Sequence, residues 1–468
     1  MKHLSNQNTI INPRTYHFVG IGGIGMSAIA QILKEQGHNV SGSDRSYDKQ
    51  IAPQIFSKLS SIGITLTPQD GSGINEATDF VIVSSAIEEQ NPDIMKARSL
   101  SKTITKRASL LANMFNDKFG IAIGGTNGKT TVSSMVGYVL DHAGMSPTII
   151  VGGCIKNYLS SHYLGNAKVG TSDIITIEAD ESDGSIVYYT PKISIITNMS
   201  KDHKPLENIS KMFETFSLNT QDVFIINADC PELKKIQFRH NNIITYGFSK
   251  SADVYASNIV NKPYLSTFDV DGQSFELKIP GMHNVSNALA AISVARCMNI
   301  KDNKIAAGLY EYKGVQRRID IIGEYNGIKV IDDFAHNPEK IAAAIKTIKL
   351  GCNRVIAIFQ PHGYFPTHFM KEELINAFKH SLSPNDLLFM PEIYYAGGSA
   401  SREISSANLI HKISKSGRNA FFIEKREDII PEIVKTIKQG DCILVMGARD
   451  NTLTDFCYEI LHTLQKSK

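Results

Sequence analysis

The chain has 468 residues, 42% hydrophobic and 20% charged, a balance expected of an ordinary globular protein with two or three domains. Its 49 basic and 46 acidic side chains leave a formal charge of only +3, which gives no electrostatic ground for a nucleic-acid partner. No apolar run reaches the length of a membrane span, Met1 to Gln7 lack a signal-peptide core, and the six scattered cysteines show no paired metal spacing, so a cytoplasmic chain with reduced thiols and no membrane partner is expected.

The first segment opens on an apolar strand, Tyr16 to Val19, followed by Gly20-Ile21-Gly22-Gly23-Ile24-Gly25, a match to G-x-G-x-x-G. A helix over Met26 to Gln36 and a strand over Asn39 to Ser41 complete a βαβ opening of Rossmann type that ends at Ser43-Asp44. Asp44 stands where a ribose-binding acid would lie. Two readings stay open: the glycines approach a nucleotide phosphate, or they let helix and strand pack closely. A further strand over Asp79 to Ser84 and a helix ending near Phe115 close the segment.

The second segment begins with the apolar run Phe119 to Ile123, then Gly124-Gly125-Thr126-Asn127-Gly128-Lys129-Thr130-Thr131, then a helix over Val132 to Ala143. Strand, glycine loop, lysine, hydroxyl and helix form an arrangement that cradles nucleotide phosphates. Glycines let backbone N–H groups converge on the anion, and the helix N-terminus adds partial positive charge. Lys129 is placed to reach the outer phosphates and Thr130 to hold Mg²⁺. Ile123 stands where the standard Walker pattern has its first glycine, and an ordinary strand-to-helix turn is the bland alternative. Strands are expected at Ile174 to Ile177, Ile193 to Thr197 and Val223 to Asn227. The first runs into Glu178-Ala179-Asp180-Glu181-Ser182-Asp183, whose acids suit Mg²⁺ beside the phosphates or a solvated loop. His203 follows the next strand as a second ligand or a loop cap. Asn284 and Asn287, opening a small-residue helix, suit contacts to a base or N-caps.

The third segment, from about Arg317, alternates strands (Lys329 to Asp332, Arg354 to Phe359, Asp386 to Met390, Cys442 to Met446) with helices (Pro338 to Leu350, Phe369 to Ser381, Ile429 to Lys438). Asp332-Asp333-Phe334-Ala335-His336-Asn337-Pro338 joins a strand end to a helix start and is a candidate for ATP or substrate contacts, or a capped helix start. The expected fold is α/β: a Rossmann-like N-terminal domain, a central ATP-binding α/β domain of P-loop type and a Rossmann-like C-terminal domain.

Taken in order, these stretches resemble the Mur ligase family, the ATP-dependent amide-forming enzymes of peptidoglycan precursor synthesis. His17 to Ser27, Val40 to Asp44, Ser84-Ser85-Ala86-Ile87, Gly128 to Thr131, Glu178 to Asp183, His283 to Ala288, Gly314 to Arg318, Asp332 to His336 and Phe359 to His362 carry the resemblance across nearly the whole chain. It implies domains at 1–116 for a UDP-sugar, 117–316 for ATP and 317–468 for closure. It also implies ATP and Mg²⁺ as cofactors, a UDP-N-acetylmuramate-type sugar nucleotide and a small amino acid as partners, and a monomer or homodimer. The branch that adds L-alanine is the nearest in pattern. Gly20, Gly22, Gly23, Ile24, Gly25, Ser43, Asp44, Ser84 and Ser85 would hold the UDP-sugar. Gly125 to Thr131, Asn284, Asn287, Arg317, Arg318 and Asp332 would serve ATP. Thr130, Glu178 and His203 would hold the metal, with Lys129, Glu178, His203 and His336 as catalytic groups. His336, His362 and Arg449 would face the amino acid.

This chain departs from that branch at several points. Asn127 and Asn337 replace histidines, Gly363 and Pro366 replace arginines, Arg449 replaces a glycine, and Asp70-Gly71 replaces a Gly-His pair. A paralogue that adds another amino acid or a recycled peptide is therefore an alternative. A nicotinamide-dependent oxidoreductase and a non-catalytic nucleotide-binding protein are alternatives from other classes.

Overall fold

The computed structural model describes residues 12–85, 87–200, 205–395, 403–450 and 452–466. The first sheet is parallel, with strands in the order Thr65–Thr67, Asn39–Ser43, Thr15–Val19, Phe80–Val83, Thr103–Lys106. Its chain order reverses at Thr15–Val19, so the crevice where open α/β sheets bind ligands lies past Val19, where Gly20 begins.

The second sheet runs Val254–Tyr255, Ile243–Gly247, Val223–Asn227, Ile193–Ile196, Phe119–Gly124, Ile174–Glu178, Thr148–Ile150, Ala167–Lys168. Only the last pair is antiparallel among the pairings described. The central strands are buried on both faces and so read as continuous apolar runs rather than alternating ones. Phe119–Gly124 lies between Ile193–Ile196 and Ile174–Glu178, which brings the candidate residues at three strand ends to one edge.

A three-stranded sheet follows, in the order Ser257–Lys262, Leu265–Val270, Gln273–Leu277. The last sheet has six strands: Asp320–Tyr325, Ile328–Asp333, Asp441–Gly447, Arg354–Gln360, Leu387–Met390, Asn419–Phe422. All its pairs are parallel except the first, which carries a bulge between Ile321 and Gly323.

The chain divides into two compact units: Met1–Asn258 with Phe268–Phe275 and Ser286–Lys313, and Ile259–Thr267 with Glu276–Val285 and Gly314–Lys468. In the first unit one hydrophobic cluster runs from Tyr16 and Phe18 through Phe115 and Ile177 to Phe224. The N-terminal and central segments thus share an interior. Among the described residues, no helix is long and apolar enough to cross a membrane.

Two elements start earlier than local pattern suggests. The helix after the glycine loop begins at Lys129, because Gly128 at φ +85° makes the left-handed turn immediately before it. The stretch expected as one helix from Phe369 is two helices, Tyr364–Phe369 and Lys371–Ser381. Pro366 sits in the first turn of the former, where its missing N–H costs no intrahelical bond. The short strand Asp320–Tyr325 has no long apolar run and is recruited by its antiparallel partner.

Candidate active site

The glycine loop is shaped by the neighbouring strand end. Thr126 N–H donates to Asn198 O (3.0 Å) and Asn127 N–H to Asn198 Oδ1 (2.8 Å). Asn198 Nδ2 and Thr197 Oγ1 both donate to Asn127 O (2.8 and 2.7 Å). Asn127 Nδ2 reaches Ser200 Oγ at 3.2 Å. Gly125 takes φ +124°, and a Cβ there would lie 2.1 Å from Thr197 Oγ1, so both conformation and space demand glycine. A Cβ on Gly128 would lie 2.9 Å from Asn287 Oδ1, which places the Asn287 amide against the loop. Thr130 and Thr131 are buried in the first helical turn.

Lys129, with its side chain 11% exposed, donates to Gly125 O (2.7 Å) and Glu181 Oε2 (2.8 Å), and lies 3.8 Å from Asp180 Oδ1. Burial would lower its pKa, but Glu181, Asp180 and Glu178 outweigh burial and hold it raised. Glu181 is pushed up by burial, which exceeds the lowering effect of Lys129. Asp180 is held down: burial acts upward, but Lys129 and the Ser182 hydrogen bonds prevail. The loop thus presents a charged ammonium among acids of unequal proton affinity.

Thr130 Oγ1 donates to Glu178 Oε2 (2.9 Å), which also accepts Gly152 N–H (3.0 Å). Among the described residues no group of three or more His, Cys, Asp or Glu is arranged to hold a metal. A hydroxyl and one carboxylate beside a phosphate loop nevertheless fit Mg²⁺, which takes few protein ligands and fills its other positions with phosphate and water oxygens. His203, the third expected ligand, lies outside the described residues, as does Ala86.

In the N-terminal segment, Gly20 (φ +82°) and Ile21 donate N–H groups to Ser43 O at 2.8 and 3.0 Å. Gly23 caps the helix Ile24–Glu35. Asp44 accepts from Gly22 N–H (2.9 Å) and Ser46 N–H (2.8 Å), bracing the turn and capping the next helix. A Cβ on Gly22 would lie 2.9 Å from both Asp44 Oδ2 and Phe56, so close packing is one use of these glycines. The Ser43 hydroxyl is buried against Asp93, and Asp93 also accepts Gly71 N–H (2.7 Å). Ser84 and the exposed Ser85 follow the strand Phe80–Val83, and Ile87 packs over Gly20.

In the second unit, Arg317 (φ +58°) donates to Gly447 O (2.9 Å), Asp450 O (3.1 Å) and Asp332 Oδ1 (3.3 Å). Asp332 also accepts Thr454 Oγ1 at 2.6 Å. Arg317 is thereby committed to bracing strand ends. Arg318 lies over the Phe334 ring, 5.0 Å from its centroid. His336 and His362 meet edge to face at 5.5 Å, and His336 Nδ1 faces Phe334 O at 2.9 Å. Burial, joined by the charge of Lys340, pushes the His336 pKa well down. Asn337 caps its helix through Lys340 N–H (3.0 Å). Asn284 Nδ2 donates to Pro280 O (2.9 Å), and Arg449 is exposed at φ +61°.

Three family models match the chain in succession: the Mur ligase family catalytic domain at residues 15–119, the Mur ligase middle domain at 123–295 and the Mur ligase glutamate ligase domain at 317–449. The UDP-N-acetylmuramate–L-alanine ligase of Pelobacter propionicus is 35% identical over 92% of this chain and 94% of its own. That of Rhizobium meliloti is 35% identical over 92% and 93%. The crystal structure of the UDP-N-acetylmuramate–alanine ligase of Thermotoga maritima matches with TM-score 0.80 and 28% identity, over 97% of this chain and 100% of its own.

The chain belongs to the Mur ligase family.

Membership removes the oxidoreductase reading of Gly20 to Gly25, and the three-domain α/β fold is that of the family. Sequence reasoning placed Lys129, Thr130 and Glu178 in this Mur ligase but missed four supports. Glu181 was one acid in a cluster, not the partner of Lys129. Asn198 was part of a strand-end stretch, not the scaffold of the loop. Asp93 and Arg107 carried no motif at all. The only available signal was that Asp93 follows Asn91-Pro92 at a helix start and Arg107 opens another helix.

Proposed function

We propose that this Mur ligase joins L-alanine to the carboxylate of UDP-N-acetylmuramate through an acyl phosphate, at the expense of ATP and with Mg²⁺, in the cytoplasm. The observation that carries the reading is the phosphate loop. Lys129 is held at the first helical turn beside acids, and Thr130 shares a hydrogen bond with Glu178, in a chain similar along its length to ligases of that name. Residues 1–116, 117–316 and 317–468 would be the sugar-nucleotide, ATP and closing domains.

In this mechanism Lys129 exchanges the Glu181 carboxylate for phosphate oxygens, one anion for another, with its position set by Gly125 O. Thr130, Glu178 and His203 would hold Mg²⁺, which neutralises charge on the phosphate oxygens when bound. Asn287, beside Gly128, and Asn284 on the same helix would meet the nucleotide. Arg318 and Asp332 would serve ATP, with Arg317 bracing Asp332 and the strand ends. The Gly20 to Gly25 turn, with Ser84 and Ser85, would take the diphosphate. A sugar-nucleotide carboxylate oxygen attacks the γ-phosphorus, and ADP leaves with the displaced bond pair. The alanine amine attacks the acyl carbon, phosphate departs and a proton is lost. His336 would accept that proton as a weakened base, since burial disfavours its charged form, with His362 and Arg449 on the amino-acid side.

The test is phosphate release from ATP and Mg²⁺ with UDP-N-acetylmuramate, across single amino acids and short peptides, with Lys129→Ala as control. Release dependent on L-alanine supports the reading. Release with another amine moves the enzyme to a paralogous role, in line with Gly363 and Pro366. No release with any amine refutes it.

A further inference from the structure

Arg107 opens the helix Arg107–Asn116 and stands between two functional loops of the first unit. On one side its Nη1 and Cδ lie 3.2 and 3.3 Å from where a Cβ of Gly25 would be. A side chain at Gly25 would crowd this guanidinium, which sets a full positive charge against the turn. On the other side Nη2 donates to Asp183 Oδ2 at 3.1 Å, in an ion pair about one quarter exposed on each partner. Asp183 belongs to the same short loop as Asp180 and Glu181, the acids around Lys129. Two local hydrogen bonds brace that loop: Asp180 Oδ1 accepts Ser182 N–H (3.0 Å) and Asp183 Oδ1 accepts Ser185 N–H (2.9 Å). The acidic loop is thus held between two cations, Arg107 at Asp183 and Lys129 at Asp180 and Glu181.

We propose that Arg107 is a positioning residue that couples the two ligand sites: an anionic diphosphate on the glycine turn competes with Asp183 for its guanidinium, and the acidic loop carries that change to Lys129. This rests on the assignment of the turn to the sugar nucleotide. A diphosphate offers Arg107 a stronger bidentate partner than one carboxylate. Any loss of Arg107 from Asp183 alters the field at Asp180 and Glu181, and with it the ease with which Lys129 leaves them for ATP. By linkage the reverse holds: ATP on Lys129 changes the affinity for the sugar nucleotide by the same factor.

The experiment is calorimetric titration of the full-length chain with a non-hydrolysable ATP analogue and Mg²⁺, with and without saturating UDP-N-acetylmuramate. It is run on the wild type, Arg107→Ala, Arg107→Lys and Asp183→Asn. The wild type is expected to show a nucleotide dissociation constant shifted about fivefold or more by the sugar nucleotide. In Arg107→Ala both ligands still bind but the ratio falls to about one, Asp183→Asn reduces it, and Arg107→Lys, which keeps the charge, retains part of it. A merely structural role lowers stability or both affinities without abolishing the ratio. A ratio unchanged in Arg107→Ala and Asp183→Asn, or absent from the wild type, overturns the coupling. A wild type that binds nucleotide but no sugar nucleotide overturns the functional assignment of the turn, and the proposal with it.

Discussion

Replacing Lys129 with alanine removes the ammonium that faces Glu181, buried at 5% exposure, and Asp180. At an effective dielectric constant of about 20, a unit pair at the observed 2.8 Å attracts by about 6 kcal/mol before desolvation is counted. Breaking a buried pair costs about 3–5 kcal/mol net, because one charge stays behind. Protonation limits this cost, and the direction follows from the two acids. Glu181 already has a folded pKa raised above its unfolded value, chiefly by burial, so its stabilising contribution is present at low pH and lost as pH rises through the folded value. Removing Lys129 takes away the largest lowering influence and pushes Glu181 further up. Asp180 loses the cation that, against burial, holds it down, so its stabilisation above the ordinary carboxylate range disappears. Both changes widen the gap from wild type as pH rises. Urea denaturation of both proteins should give a destabilisation of about 2–4 kcal/mol near pH ~8, shrinking to about 1 kcal/mol or less near pH ~5. Lys129→Ala/Glu181→Gln should recover most of the loss at high pH, since the most buried of the carboxylates facing the missing ammonium is removed with it. Phosphate release should fall about a thousandfold or more in either variant. A destabilisation independent of pH, or a double variant no more stable than the single one, would refute the reasoning.

Three further outcomes follow from the geometry. Glu178→Gln weakens the oxygen set shared with Thr130, so phosphate release should fall about a hundredfold and recover partly as Mg²⁺ is raised, read from a metal titration. Gly125→Ala forces a Cβ to within 2.1 Å of Thr197 Oγ1 at φ +124°; about 2 kcal/mol or more of stability should be lost in denaturant melts, along with nucleotide binding. Asp333 is raised by burial to about 6 from 3.8, so its contribution is present below 3.8 and lost as pH rises through about 6. The shift corresponds to about 3 kcal/mol, and Asp333→Asn should gain stability relative to wild type as pH rises from about 5 to about 7; a pH-independent difference excludes Asp333 as the titrating group.

Local features were legible in the residues alone. Gly124 to Thr131 after an apolar run specify a strand, a positive-φ turn and a helix start, because glycine alone takes those angles cheaply and the lysine and hydroxyl follow at set spacing. The βαβ opening was legible for the same reason. So was the parallel character of the sheets, since strands covered on both faces must be apolar throughout. The partners were not legible. Glu181 meets Lys129, and Asn198 holds Asn127, only because Phe119–Gly124 lies between Ile174–Glu178 and Ile193–Ile196. Asn287 meets Gly128 through a helix far along the chain, and Arg107 meets Asp183 through the shared core of the first two segments. Arg317 carries the same charge whether it faces a phosphate or strand-end carbonyls, and tertiary packing gave it the carbonyls of Gly447 and Asp450. Strand order decides which loops meet at one sheet edge, and that order is set by burial summed over whole layers rather than by the residues that end up in contact.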